Sequence, residues 1–323
     1  TRWISRFLRR FLMGRIQLVT SAYDHTIRFW VAQTATCVRL IKQGKSQINS
    51  LAISPDGAHL AAAGNPNVAL YDALSNNANP VTTFSGHANN VTRVGYQKNC
   101  QWLYTSSEDK TVKIWDYSAK GCQREYSFGA PVNCVALHPN QAELLCACAD
   151  GTLHVLDLAE NKKAAIIKTQ SMAPLQWVDI SPKGDAATTV NNKGELIVYR
   201  GVATSLVGMK ESTTISAHGT YALKCKFSPN AAFVVTTGAD HLAKIWNTKG
   251  MIPEKTLKGH EKWVWDCAFT SDSAYLLTTS SDKSALLWDL NSGKTVNKYS
   301  GHQRAVTAVA LDDVDRPPRK PSK

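Results

Sequence analysis

The sequence has few charged residues and no long apolar run. Charged residues make up 19% of the 323 residues, below the quarter that is usual in globular proteins. The longest apolar runs stay well short of the ~18 residues that a transmembrane helix takes, so we expect no integral membrane contact. A signal peptide is not expected either, because Arg9 and Arg10 interrupt the apolar residues near the start.

Sequence motifs for common chemistry are also missing. The chain has no Walker A loop and no G-x-G-x-x-G, H-E-x-x-H or G-x-S-x-G motif. The eight cysteines form no C-x-x-C pair, and most lie in apolar runs, which is typical of reduced core thiols in the cytosol. The isolated His59, His138 and His154 are expected at the surface or in turns. The sequence therefore predicts no metal and no cofactor.

The net charge of +12 is concentrated at the two ends of the chain. Residues 1–15 carry five arginines and residues 316–323 carry four basic residues, with no acidic residue in either stretch. Without these nine cations, 28 basic residues stand against 25 acidic ones. The central part shows no excess of positive charge, so no nucleic-acid partner is expected. We expect 1–15 to be a flexible basic extension and 314–323 to be a disordered basic tail.

A repeated pattern of strand, turn with Asp, strand and Trp organises the rest of the chain. The strong copies are 20–30, 105–116, 236–247 and 278–289, and the weaker ones are 62–72, 147–157 and 189–200. Seven anchor residues end these copies, 41 to 47 residues apart: Trp30, Tyr71, Trp115, Leu156, Tyr199, Trp246 and Trp288. This period predicts an all-β fold, a seven-bladed WD-repeat β-propeller over residues 16–313.

The two ends of the propeller are predicted to complete one blade together. Residues 16–21, 26–31 and 36–42 supply three strands, and residues 305–311 supply the fourth. Pairing the C-terminal strand with the N-terminal blade closes the ring and removes two open strand edges.

Histidine, aspartate and tryptophan recur together in four repeats, a combination that superficially resembles a hydrolase site. An active site is normally built once, so repetition favours a structural hydrogen-bond relay from the loop His through Asp to the indole N–H. Hydroxyl residues expected to join it are Ser106, Thr237 and Thr279. The relay sets are His87, Asp109 and Trp115; His218, Asp240 and Trp246; His260, Asp282 and Trp288; and His302, Asp24 and Trp30.

The innermost strand of each blade carries the candidate binding residues. In all seven blades the second residue of this strand is apolar, so its neighbours are expected to point towards the channel mouth. Most of these neighbours are small or polar, but Trp263 and Trp265 place two indoles on the rim, which marks a binding site. Tyr221 extends this patch, and Gln47 and Asn49 supply polar contacts. The alternative is that the two indoles pack under a neighbouring loop.

From Ile16 to Asp313 the chain resembles the lethal-with-Sec-thirteen (G-protein-beta-like) family, the WD-repeat subunit of the target-of-rapamycin kinase complexes. The segments that carry the resemblance are 22–30, 138–145, 221–229, 263–269 and 301–313. Tyr199 and Arg200, where Trp-Asp is usual, and the long 201–211 loop depart from the pattern.

The resemblance implies a non-catalytic scaffold that binds and stabilises the kinase domain of the target-of-rapamycin protein. It implies membership of both kinase complexes, a role in growth and nutrient signalling, and contact with their other subunits through the kinase. It further implies a cytoplasmic location, peripheral to endolysosomal or vacuolar membranes, and a propeller that is monomeric before assembly. The family's kinase-facing residues match Gln47, Asn49, Trp263 and Trp265 here.

Two other classes of function remain open at this stage. The first is a different interaction propeller, ribosome-associated or a chromatin peptide reader, which would need a charged or aromatic cage at the channel mouth. The second is a propeller enzyme, which would need acidic residues converging in the channel, and the aligned strand starts contain none.

Overall fold

The computed structural model describes residues 17–44, 46–117 and 121–314, and every regular element in these ranges is a β-strand. The predicted extension 1–15 and nearly all of the predicted tail lie outside the described residues. In chain order the strands are β1 Gln17–Ala22, β2 Thr26–Val31, β3 Thr36–Lys42, β4 Ser50–Ile53, β5 His59–Ala63, β6 Val68–Asp72, β7 Thr82–Phe84, β8 Val91–Tyr96, β9 Trp102–Ser107, β10 Thr111–Asp116, β11 Cys122–Ser127, β12 Val132–Leu137, β13 Glu143–Cys148, β14 Thr152–Asp157, β15 Lys162–Lys168, β16 Leu175–Ile180, β17 Ala186–Asn191, β18 Glu195–Arg200, β19 Lys210–Ser216, β20 Ala222–Phe227, β21 Phe233–Gly238, β22 Leu242–Asn247, β23 Ile252–Lys258, β24 Val264–Phe269, β25 Tyr275–Ser280, β26 Ser284–Asp289, β27 Thr295–Ser300 and β28 Val306–Asp312.

These strands form seven four-stranded antiparallel sheets, which confirms the predicted seven-bladed propeller. Blade 1 has the order β28-β1-β2-β3, and blades 2 to 7 follow as β4–β7, β8–β11, β12–β15, β16–β19, β20–β23 and β24–β27. The first strand of each sheet packs against the first strands of the two neighbouring blades, so these seven inner strands surround one axis. We call the space they enclose the axial channel.

The ring closes as the sequence predicts. Strand β28 pairs with β1 from Gln17 opposite Asp312 to Ala22 opposite Val306. Blade 1 is therefore assembled from both ends of the propeller.

Apolar side chains fill the interfaces between blades. Seven clusters of buried residues lie one at each interface. Neighbouring blades cover both faces of a blade, so its inner strands are mostly buried, and all six residues of Glu143–Cys148 are buried. The outermost strands, such as β11, are largely exposed. The seven anchor residues are all buried.

Cysteine and histidine placements partly follow expectation. Five of the eight cysteines are buried and all are free, whereas Cys122 is exposed. His138 is fully buried and begins a turn, in which the Gln141 N–H donates to the His138 carbonyl oxygen. The ring Nε2 of His138 lies 3.2 Å from the carbonyl oxygen of Gly184 in the next blade, and this hydrogen bond lets the ring fill an inter-blade gap.

Candidate functional site

Four blades contain a hydrogen-bonded chain that ends on a buried indole. In blade 3, Trp115 Nε1 donates to Thr105 Oγ1 at 2.9 Å, and the same hydroxyl lies 2.7 Å from His87 Nε2. The other ring nitrogen, Nδ1, lies 2.7 Å from an Asp109 carboxylate oxygen. Blades 1, 6 and 7 repeat the arrangement with Asp24, His302, Thr20 and Trp30; Asp240, His218, Thr236 and Trp246; and Asp282, His260, Thr278 and Trp288.

Two details of this relay differ from the sequence expectation. The histidine, not the aspartate, occupies the middle of the chain, and a threonine hydroxyl accepts the indole proton. Neighbouring residues on a strand face opposite sides. The hydroxyl residue that faces the indole lies ten positions before the tryptophan in sequence, as Thr105 does for Trp115. The expected hydroxyls of Ser106, Thr237 and Thr279 are therefore one position too late, and the participating ones are Thr105, Thr236 and Thr278.

The ionisation of these groups suits a structural role. Burial lowers the pKa of His87, His218 and His302, which keeps the rings neutral. Each neutral ring donates from Nδ1 to its aspartate and accepts the threonine hydroxyl proton at Nε2. Every donor in the chain then has an acceptor, so the relay satisfies the buried indole N–H.

The aspartates of the relay are held in their charged form. Burial alone would raise the pKa of Asp109, but hydrogen bonds from Thr111, the Ala88 N–H and His87 together lower it below its ordinary value. The pKa values of Asp24 and Asp282 are lowered in the same way against the effect of burial. These carboxylates are saturated by local donors, which leaves them unsuited to acid–base work.

A register shift near the start of six of the seven inner strands marks a bulge with one extra residue: Thr92, Asn133, Gln176, Leu223, Trp265 and Thr307. Asn49 stands at the corresponding position, directly before β4. Four of these seven residues donate a side-chain hydrogen bond to a backbone carbonyl of the next blade. The bonds run from Thr307 to Ile48, Asn49 to Val91, Thr92 to Val132 and Asn133 to Leu175, at 2.6 to 3.1 Å. We call these bonds inter-blade clamps. Asn49 therefore has a structural partner, and it is half-buried.

Blades 6 and 7 place apolar residues at the clamp position. Leu223 has no hydrogen-bond donor, and Trp265 Nε1 donates within its own blade to Ser281 Oγ at 2.7 Å. The position that forms inter-blade clamps in blades 1 to 4 thus carries the indole of Trp265 in blade 7. Trp265 is half-buried rather than fully open, whereas Trp263 is 40% exposed.

Four aromatic rings form a continuous row at the channel mouth. Tyr221 and Trp263 lie edge to face with ring centroids 6.3 Å apart, and Trp263 and Trp265 are 5.5 Å apart. Tyr23 of blade 1 continues the row, 6.4 Å from Trp265. Tyr221 is 49% exposed. We call these four residues the aromatic row; it crosses blades 6, 7 and 1.

Polar side chains continue the same rim through blades 2 and 3. Gln47 Nε2 lies 3.5 Å from Asn90 Oδ1, and Asn90 Nδ2 donates to Glu108 Oε2 at 2.9 Å. Burial raises the pKa of Tyr23, at the end of the aromatic row, and the negative charge of Glu108 raises it further. The row and these polar residues together form one surface, the rim surface, on five consecutive blades.

Tyr23, Asn90 and Glu108 are rim residues that the sequence analysis missed. Tyr23 and Glu108 each precede the relay aspartate of their blade, at a position whose N–H bonds to the start of an inner strand. Ser281, the partner of Trp265, occupies the same position in blade 7. Aligning the residue before each relay aspartate is the signal that finds Tyr23 and Glu108.

Within 17–44, 46–117 and 121–314, no helix has the length and apolar character that crossing a bilayer takes. In the same ranges, no three His, Cys, Asp or Glu side chains are grouped so that they could hold a metal ion.

The repeats and relays define a WD-repeat propeller with an aromatic surface at its channel mouth. The family model described as WD domain, G-beta repeat matches residues 35–72, 78–116, 121–157, 209–247 and 251–289, more than half of the chain.

Curated relatives are similar over most of the chain. Target of rapamycin complex subunit wat1 of Schizosaccharomyces pombe is 46% identical over 301 residues, 92% of this chain and 96% of the relative. Target of rapamycin complex subunit LST8 of Saccharomyces cerevisiae is 42% identical over 299 residues, 92% of this chain and 99% of the relative. The mouse protein of that name is 38% identical over 236 residues, 72% of each chain. The chain belongs to the LST8 family of WD-repeat proteins.

Proposed function

We propose that this protein is a non-catalytic subunit of target of rapamycin complexes and that its rim surface binds the kinase domain of the target of rapamycin kinase. The relatives' names support the complex, and the exposed aromatic row carries the assignment of the surface. By docking on the kinase domain the propeller stabilises it in both complexes, in the cytoplasm and at endolysosomal or vacuolar membranes. The other subunits are reached through the kinase.

The energetics of the rim support a protein partner. Tyr221 and Trp263 expose large rings beside each other, and tryptophan and tyrosine are the residues that most often contribute dominant binding energy at interfaces. Gln47 and Asn90 add neutral polar groups at the edge, as expected of an interface rim. Trp265 occupies a position that stabilises the ring in blades 1 to 4, and its large ring takes the place of a clamp in blade 7, which supports a binding role.

A catalytic role is not supported by the one constellation that resembles an active site. The relay is repeated in four blades, each copy is internally saturated, and each histidine is buried. We therefore assign His87, His218, His260 and His302 to folding.

The test is co-precipitation of the purified propeller with the target of rapamycin kinase domain. Trp263→Glu should lose the interaction while the melting temperature stays near that of the unchanged protein, because Trp263 is exposed. Ile252→Glu is the matched control: Ile252 is 61% exposed on the outer strand β23, and binding should persist. Full binding by Trp263→Glu would remove the rim surface from the interface. Failure of the unchanged propeller to bind the kinase domain would favour a different scaffold partner, such as a ribosomal or chromatin protein.

A further inference from the structure

Charged side chains of the inner strands cluster on one side of the axial channel. Arg93 of blade 3 and Lys224 of blade 6 both contact the ring of Trp177 in blade 5, each 4.3 Å from the ring centroid. Arg93 reaches Trp177 past blade 4, where the corresponding residue is the small Cys134. Lys226 lies two residues beyond Lys224 on the same strand. Two cations from two blades therefore meet at one indole, and the charge of Lys226 acts on Lys224 beside it.

The two carboxylates of this region are already occupied. Asp266 forms an ion pair with Lys224 and also accepts hydrogen bonds from the backbone N–H groups of Cys267 and Val309, at 2.5 and 2.9 Å. Asp179 accepts the Phe227 N–H at 2.8 Å. Burial raises the pKa of Asp179, and the nearby charges of Lys226, Arg93 and Lys224 partly oppose this effect.

Arg93 and Lys226 are left as the excess cations. No described residue accepts a hydrogen bond from Arg93 Nε, which is buried. No carboxylate of the described residues lies within ion-pair distance of Arg93 or Lys226, although the charges of both act on Asp179. Both side chains are half-buried, so they retain access to the channel. Burial lowers the pKa of Lys224, and the like charges of Lys226 and Arg93 lower it further.

We propose that the axial channel binds one multivalent oxyanion of the phosphate class between Arg93 and Lys226, beside the Lys224–Asp266 pair. A guanidinium presents a fixed fork of N–H donors that matches phosphate oxygens. A bound dianion would supply the acceptors that Arg93 lacks and relieve the repulsion within the cluster. Trp177 holds the guanidinium in place by stacking.

The experiment is isothermal titration of inorganic phosphate and of pyrophosphate into the full chain, with chloride balancing the ionic strength. One anion should bind per chain. Arg93→Gln and Lys226→Gln should each weaken binding by roughly tenfold, the effect of losing one charge-assisted contact. Asp179→Asn should tighten it severalfold, because a repelling carboxylate is removed.

Lys262→Gln is the matched control, because Lys262 is exposed beside the rim and outside the cluster. Its affinity should equal that of the unchanged protein. Lys226→Arg keeps the charge and should keep binding, which separates charge from folding if Arg93→Gln unfolds. Absence of binding by the unchanged chain, unchanged binding by Lys226→Gln, or equal weakening by Lys262→Gln would each overturn the proposal. A melting temperature raised equally by phosphate in all variants would reflect general salting-out instead.

Discussion

The backbone N–H of Tyr23 donates a hydrogen bond to the carbonyl oxygen of Ala305, 2.9 Å away. Tyr23 precedes the relay aspartate of blade 1, and Ala305 precedes β28, so this bond joins the two ends of the propeller at the rim. The side chain of Tyr23 packs against Trp265. The rim surface therefore crosses the point where the ring closes. An intact blade 1 is needed both for ring closure and for the rim surface.

Removing residues 301–323 should prevent formation of a stable monomer. The truncation deletes β28, leaves three strands in blade 1 and exposes the edge of β1. Size-exclusion chromatography should show oligomers or insoluble protein. Removing only 315–323, which keeps β28, is the control and should leave a monomer. A soluble monomer with unchanged melting from the longer truncation would contradict ring closure by β28.

His260→Ala should destabilise the fold, because His260 links Thr278 to Asp282 in the relay. It leaves the Thr278 hydroxyl and the Asp282 carboxylate without their shared partner, at a cost of about 1–3 kcal/mol. The melting temperature should drop by a few degrees, because a large domain has a large unfolding entropy. In a double-mutant cycle with Thr278→Val the two losses should be less than additive. Full additivity would mean that the two side chains act independently.

The relay also predicts how stability depends on pH. His87, His218 and His302 have lowered pKa values in the fold, so the unfolded chain binds more protons once the pH falls below about 6.5, the ordinary histidine pKa. Stability is therefore present above that pH and lost as the pH falls through it. The lowered pKa values of Asp24, Asp109 and Asp282 add a second loss below about pH 4.

Urea unfolding midpoints measured between pH 8 and pH 3.5 check this dependence. His87→Asn should reduce the loss between pH 7 and pH 5.5, because one depressed histidine is removed. A midpoint that rises as the pH falls from 7 to 5.5 would show that the histidines gain protons on folding.

The ring was predictable from the sequence because its determinants recur. Trp30, Trp115, Trp246 and Trp288 fall at one period, and a single misread repeat would not alter the count of blades. Burial of the residues at the inner-strand starts also follows from their apolar character alone, and Val91 and Val264 are indeed fully buried.

The rim and relay details were less predictable because they depend on local backbone geometry. The bulge before Asp266 shifts the strand register by one residue, and so Trp265 points along the rim beside Ser281 rather than into solvent. Thr105 and Ser106 are both plausible relay hydroxyls by residue type, and only the strand register decides between them. Tyr23 joins the aromatic row across the chain closure, a contact between residues far apart in sequence.

Asn133→Ala should weaken the contact between blades 4 and 5. The side chain donates to the carbonyl of the buried Leu175 at 2.6 Å, and the loss of this donor costs about 1–2 kcal/mol. Binding to the kinase domain should not change, because blade 4 lies outside the rim surface. Thermal melting and co-precipitation measure the two effects. Unchanged melting would mean that water replaces the clamp without cost.

Trp265→Asn should separate binding from folding. The change places at the rim the residue type that forms clamps at Asn49 and Asn133, so the new amide is positioned to donate to the Val306 carbonyl. This bond offsets the lost ring contacts, and the free energy of unfolding should stay within about 1 kcal/mol of the original value. Binding to the kinase domain should weaken by at least roughly thirtyfold, the effect of losing a ~2 kcal/mol anchor. Trp115→Ala is the contrasting variant: its indole is fully buried in the relay, so it should lose about 3–5 kcal/mol of stability and lose binding only through unfolding. If Trp265→Asn unfolds the propeller, Trp265 acts in packing rather than in binding; if it folds and binds fully, the aromatic row does not contact the kinase.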